Sequence, residues 1–242
     1  MKSKPTTKTG RSSKKTPSEL PLDRWTAVDH YLTDLLVPAD AALDAALRAC
    51  VEAGLPAIQV SPPQGKLLHL LAKIQGARTI LEIGTLGGYS TIWLARALPA
   101  GGRLITLEVD LKHAEVARAN FTRARLDGLI ELRLGRGLDT LPRLAAEGCG
   151  PFDFIFIDAD KAAIPEYFEW SLKLSRVGSV IIADNVVRNG ALIDEASADP
   201  SIQGVRRFHE MLAREPRVSA TTLQTVGGKG YDGLTIALVR TV

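Results

Sequence analysis

Five short apolar runs, each followed by a stretch of helical periodicity, occupy the chain from Thr79 to Glu215. The runs are Thr79–Ile83, Arg103–Glu108, Ile130–Leu134, Phe152–Ile157 and Ser179–Ala183. Helices are expected over Ser90–Leu98 and Lys112–Ala124, and near Leu138–Glu147, Ile164–Leu174 and Ile202–Glu215. Such alternation builds βαβ units, and βαβ units build a parallel sheet with helices on its faces. The fourth and fifth runs are almost continuously apolar, as strands covered on both sides are. The end of the chain differs: Val218–Thr225 and Leu234–Val239, joined across Gly227-Gly228-Lys229-Gly230, read as a terminal antiparallel pair. The class is α/β.

Ahead of the first strand the period is helical throughout. Trp25, Val28, Tyr31, Leu32, Leu35 and Leu36 recur at three- and four-residue steps, Pro38 interrupts, and Ala42–Val51 resumes the pattern. Ser61-Pro62-Pro63 opens a third helix, Gln64–Ile74. Residues 1–18 carry six lysines and arginines and no acid, whereas the whole chain is +3, so the remainder is −3. That basic segment is rich in Ser, Thr and Pro with almost no large apolar side chain, and is expected to be disordered. The expected organisation is a basic tail at 1–18 and a single domain at 19–242, divided into a helical cap (19–76) and a sheet core (77–242). No apolar run approaches the ~20 residues that span a bilayer. The two cysteines, Cys50 and Cys149, stand far apart with no metal-type spacing, which fits a reducing, cytoplasmic setting.

In an open α/β sheet, ligands bind beyond the carboxyl ends of the strands, where strand order reverses. Gly84-Thr85-Leu86-Gly87-Gly88 follows the first strand and should begin that site. Glycines let a ligand approach the backbone, and the next helix offers free N–H groups. The loop is not GxGxxG, and Glu82 beside it would repel a pyrophosphate but suit a cationic ligand such as S-adenosylmethionine. Glu108, 24 residues after Gly84, ends the second strand where a carboxylate binds ribose hydroxyls.

A second cluster follows the fourth and fifth strands, as Asp158-Ala159-Asp160-Lys161 and Asp184-Asn185. Neighbouring parallel strands lie ~4.8 Å apart, so Asp158 and Asp184 should converge. Crowded carboxylates repel, and a divalent cation relieves them. Two Asp and one Asn offer only oxygen, the donor set of a hard cation such as Mg²⁺, with positions left for water or substrate. The alternative for each acid alone is helix capping or a turn.

ILEIGTLGGYS (80–90), FDFIFIDADK (152–161) and IIADNVVRNG (181–190) together resemble the cation-dependent, S-adenosylmethionine-dependent O-methyltransferases of the caffeoyl-CoA and catechol O-methyltransferase type. The resemblance runs from about Trp25 to the C-terminus. It implies a Rossmann-like class I methyltransferase fold: a seven-stranded, mostly parallel sheet with the last strand antiparallel, usually in a homodimer. It also implies roles for particular residues. Val60, Glu82, Gly84, Thr85 and Ser90 would surround the methionine part of the cofactor, Glu108 would bind its ribose, and Gly137 would offer backbone near the adenine. Asp160 would help hold the cofactor. Asp158, Asp184 and Asn185 would hold the cation, and Lys161 would sit beside the acceptor oxygen, making Lys161 and Asp158 the catalytic pair. Gly137 stands where plant members usually have Ala, a difference tolerated if the contact is through the backbone.

The implied reaction is methyl transfer to a hydroxyl of a small vicinal diphenol, with no membrane partner. A nicotinamide-dependent oxidoreductase is the alternative within enzymology; Glu82 and the missing GxGxxG count against it. A nucleic-acid-binding or RNA-modifying methyltransferase using the basic tail is disfavoured by the −3 charge of the remaining chain. His30, His69, His113 and His209 lie at no metal spacing and read as core or surface residues. Trp25, Trp93 and Trp170 read as packing residues, with Trp25 able to reach an acceptor pocket. Asn189-Gly190 is first a turn and only second a substrate contact. Gly230-Tyr231-Asp232-Gly233 reads as a hairpin turn that alternatively closes over the site.

Overall fold

The computed structural model describes residues 22–241, so the basic tail expected at 1–18 lies outside the described residues. Helices α1 (Leu22–Leu36), α2 (Ala41–Glu52) and α3 (Pro62–Gln75) come first. Local chemistry sets their ends. Asp40 caps α2 by accepting from the N–H groups of Ala42 and Leu43, each at 3.0 Å, and also pairs with Arg96 at 2.8 Å. Ser61 caps α3, whose first turn holds Pro62 and Pro63, and Gly76 ends it in the left-handed conformation (φ 72°).

The sheet core then alternates as β1 (Thr79–Ile83), α4 (Tyr89–Ala95), β2 (Arg103–Glu108), α5 (Leu111–Arg123), β3 (Ile130–Leu134) and α6 (Gly137–Ala146). It continues through β4 (Phe152–Ile157), α7 (Ile164–Lys173), β5 (Ser175–Asp184), α8 (Pro200–Arg214), β6 (Val218–Gly227) and β7 (Gly230–Val239). Strand order is β3-β2-β1-β4-β5-β7-β6. β7 is antiparallel to both neighbours and every other pairing is parallel, so only the last strand runs in reverse.

Two expectations about strand ends are corrected. β5 starts at Ser175 rather than Ser179, because Ser175 pairs with Phe152 across a register irregularity. The terminal hairpin is longer and tighter than its composition suggests: Gly227 pairs with Gly230, leaving Gly228 and Lys229 as the turn. The added pairs take in Val226 and Gly227 on one strand and Gly230 to Gly233 on the other, with Asp232 held in the ladder opposite Thr225.

The pleat divides the core in two. Ile80, Leu104, Phe154, Phe156 and Ile182 face a layer that includes Leu43, Leu68, Ile92, Trp93 and Phe121. Leu81, Ile105, Ile155, Ile157, Ile181 and Ala183 face Leu144, Phe168, Leu172 and Phe208 on the other side. Successive strand residues point to opposite faces, and this alternation decides where each site residue is aimed.

Candidate active site

Order reverses between β1 and β4, since β1 is followed by β2 on one side while β4 and β5 extend the other. A cavity of ≈460 Å³ opens there, at the carboxyl ends of the strands. Val60, Gly84, Thr85, Ser90, Glu108, Gly137, Asp158, Asp160, Lys161 and Asn185 all line it, so ten of the residues singled out in the sequence meet in one place.

Gly84 shows how tightly the strand tips abut. Its φ is +101°, and a Cβ there would lie 2.1 Å from the carbonyl oxygen of Asp158. The Asp158 N–H in turn donates to the Ile83 carbonyl at 2.8 Å. Glu108 is 6% exposed, and its carboxylate fastens two loops. Oε2 accepts from the N–H groups of Thr85 (3.3 Å) and Leu86 (2.7 Å), and Oε1 accepts from Val109 and Asp110, each at 2.9 Å. The Thr85 hydroxyl donates to the Leu107 carbonyl at 3.1 Å and meets the Thr106 hydroxyl at 2.6 Å. Gly137 opens α6 against the cavity, where a Cβ would come within 2.9 Å of the Tyr167 ring. Glycine is accommodated at this position, whereas the alanine of plant members would press on Tyr167.

Glu82 is placed differently from expectation. It is fully buried and does not line the cavity. As the residue before Ile83 it points to the sheet face beneath α4, where it accepts from Ser90 Oγ (2.7 Å), Thr91 Oγ1 (2.5 Å) and Thr106 Oγ1 (2.7 Å). Burial pushes its carboxyl up to about 7 against the pull of those three hydroxyls, with a further push from Asp158. Its contact with the cavity is through Ser90, which lines it.

The acid cluster converges as the register requires. Ile157 pairs with Ala183, so the next residues, Asp158 and Asp184, emerge side by side on the same face. Lys161 Nζ lies 2.8 Å from Asp158 Oδ1, with its side chain 10% exposed. Burial first and the Asp158 charge second push the Asp184 carboxyl up to about 7, against Lys161, the Asn185 N–H and Gln64. Among the described residues no three His, Cys, Asp or Glu side chains form a metal-holding group. The candidate set is two carboxylates and one amide. It fits a hard cation on its donor chemistry: every donor is oxygen, and the repulsion between two carboxylates is what an added cation removes.

Asp184 faces a second cavity of ≈250 Å³, lined also by Asp29, Pro63, Gln64, Leu67, Lys229 and Leu234. Asn185 lines both cavities. Gln64 Nε2 donates to Asp184 Oδ2 at 2.6 Å, a contact across 120 residues of chain. Nothing in the sequence near Gln64 signals it beyond its place in the first turn of α3. Among the described residues of α1, Asp29 rather than Trp25 lines this cavity. His113, read as a core or surface histidine, lines the first cavity and stands 3.6 Å from Glu108 Oε1. Tyr167, Arg188 and the free, buried Cys50 also line it.

Comparison with known proteins identifies the family. The family model described as O-methyltransferase matches residues 37–240. A catechol O-methyltransferase of Niastella koreensis is 57% identical over 214 residues, covering 88% of this chain and 97% of that protein. The crystal structure of an O-methyltransferase from Bacillus cereus in complex with SAH superposes with a TM-score of 0.90 at 60% identity, covering 91% of this chain and all of that one (100%). The O-methyltransferase TomG from Streptomyces achromogenes, solved in complex with SAM, gives 0.89 at 55% identity, covering 91% of this chain and 99% of its own. The nicotinamide reading is thereby set aside: the chain belongs to the O-methyltransferase family, as an S-adenosylmethionine-dependent enzyme.

Proposed function

We propose that the chain methylates one hydroxyl of a small vicinal diphenol, drawing the methyl group from S-adenosylmethionine with a divalent cation, Mg²⁺, in attendance. One observation carries this reading: Asp158, Asp184 and Asn185 sit where the two cavities meet, with Asn185 lining both. The first cavity takes the cofactor, and the second takes the acceptor. At ≈250 Å³ the second is smaller than the ~300–1,000 Å³ of drug-sized sites, which suits a single-ring acceptor. The catechol O-methyltransferase of Niastella koreensis supports the acceptor class through its 57% identity.

Asp158, Asp184 and Asn185 would hold the cation. Once bound, it would supply a lowered pKa for a nearby hydroxyl. Phenols have a pKa near ~10, so only about one in a thousand is ionised at pH 7 without help. Lys161 places a positive charge beside Asp158 in the first cavity, where it can offset charge developing on the acceptor oxygen or take up its proton. Thr85, Ser90 and Glu108, fixed by their hydrogen bonds, orient the sulfonium methyl toward that oxygen, and such positioning supplies much of the acceleration.

A methyl-transfer assay over vicinal diphenols, with and without chelator, tests the reading. Turnover should vanish on chelation and return with Mg²⁺. Full turnover in chelated protein would remove the cation from the mechanism, and equal rates on 1,3-diphenols would remove the vicinal requirement.

A second copy of the chain is the proposed partner. Val28, Tyr31, Leu32 and Leu35 form an exposed apolar stripe on α1, joined by Leu70 and Ile74 of α3. Stripes of this kind on a soluble protein mark contact surfaces. Sedimentation should show a dimer at micromolar concentration, and a monomer there would refute it. Both cysteines are free, which supports action in a reducing, cytoplasmic setting. No helix among the described residues is long and apolar enough to cross a membrane.

A further inference from the structure

Beyond β5 the chain makes an unusual turn. Asn185, Arg188 and Asn189 all take the left-handed conformation, with φ of 55°, 56° and 55°. Non-glycine residues hold this conformation rarely, and three within five positions require something external to keep them there. That external support comes from β7. The N–H groups of Val187 (3.0 Å), Arg188 (2.9 Å) and Gly233 (2.9 Å) all donate to Oδ1 of Asp232. One residue earlier the Val186 N–H donates to the Gly233 carbonyl at 3.1 Å. Segment 186–188 is therefore clamped to Asp232-Gly233 immediately after Asn185, the residue that lines both cavities.

We propose that Asp232 is the positioning residue of the cation site: by gathering these N–H groups it keeps Asn185 at the tip of β5 beside Asp184. The inference rests on the cation reading above and assigns Asp232 no contact with the cation. Its work is done by hydrogen-bond acceptance, so an amide oxygen at the same place should largely replace it, whereas a methyl group should not. Gly230-Tyr231-Asp232-Gly233 thus acts neither as a simple turn nor as a lid; Asp232 lies within a strand and braces the loop opposite.

The test uses the full chain, Mn²⁺ as an electron-paramagnetic-resonance probe, and S-adenosylhomocysteine titrated by calorimetry. Asp232→Ala should weaken Mn²⁺ binding about 10-fold or more, the range seen when outer supports of metal ligands are removed, with S-adenosylhomocysteine affinity within about twofold. Asp232→Asn should keep Mn²⁺ affinity within about threefold of the unaltered protein, because its Oδ1 still accepts. If Asp232→Asn loses as much as Asp232→Ala, the negative charge rather than the clamp attracts the cation, and the proposal is overturned. Parallel losses of Mn²⁺ and S-adenosylhomocysteine binding would make Asp232 a general fold residue, also against it. Hydrogen exchange on the unaltered protein gives a measurement independent of how the variants fold. The Val187 and Arg188 amides should be protected, and exchange at the rate of open loop amides would refute the clamp. Absence of Mn²⁺ binding by the unaltered protein would overturn the cation site and this inference together.

Discussion

Replacing Asp184 by alanine is expected to abolish cation-dependent methyl transfer while leaving the cofactor bound. Asp184 does not line the first cavity, the one proposed for the cofactor; it faces the smaller one and touches Gln64 and the Asn185 N–H. The variant strands those two donors, at about 1–3 kcal/mol each if they remain dry. It also removes a carboxylate that burial and Asp158 both disfavour in its charged form, so the two effects on stability oppose each other. The fold should survive. Chemistry should not: without a cation to lower the phenol pKa by two to three units, about 3–4 kcal/mol is lost, or roughly 10²–10³ in kcat. Calorimetric titration with S-adenosylhomocysteine beside a methyl-transfer assay measures both quantities. Retained turnover, or cofactor affinity falling in step with kcat, would contradict the assignment.

Lys161→Ala carries the second large effect. Lys161 holds its ammonium 2.8 Å from Asp158 and lines the first cavity, the one proposed to take the cofactor. Loss of a fixed positive group beside a developing oxyanion costs about 10²–10³ in rate. Cofactor affinity should change little, because Thr85, Ser90 and Glu108 are held by bonds that do not involve Lys161. Equal losses in kcat and cofactor affinity would reduce Lys161 to a lysine that merely neutralises Asp158.

The site was legible in outline from the chain alone, since strand tips in a parallel sheet meet at one edge and the motifs sat at the tips. Glu82 shows where such reading fails. Its position in the motif suggested a ligand contact, but Glu82 stands two residues back from the strand tip on the same face, where Ser90, Thr91 and Thr106 enclose its buried carboxylate. Gln64 and Asp232 show a different limit. Gln64 is 120 positions from the carboxylate it touches, and Asp232 is 45 and 44 positions from the Val187 and Arg188 amides it binds. No local pattern encodes such a meeting.

Periodicity and capping act between neighbours along the chain, and four strands, β1 to β4, accordingly begin and end where the residues alone place them. The βαβ order, the acidic strand ends and the glycine loop follow from the same short-range rules. The pleat aims Asp158 and Asp184 to the same face, and which cavity each faces depended on α3 and β7 meeting β5. Those are contacts between distant segments, and they exist only once the sheet has closed around its two cores.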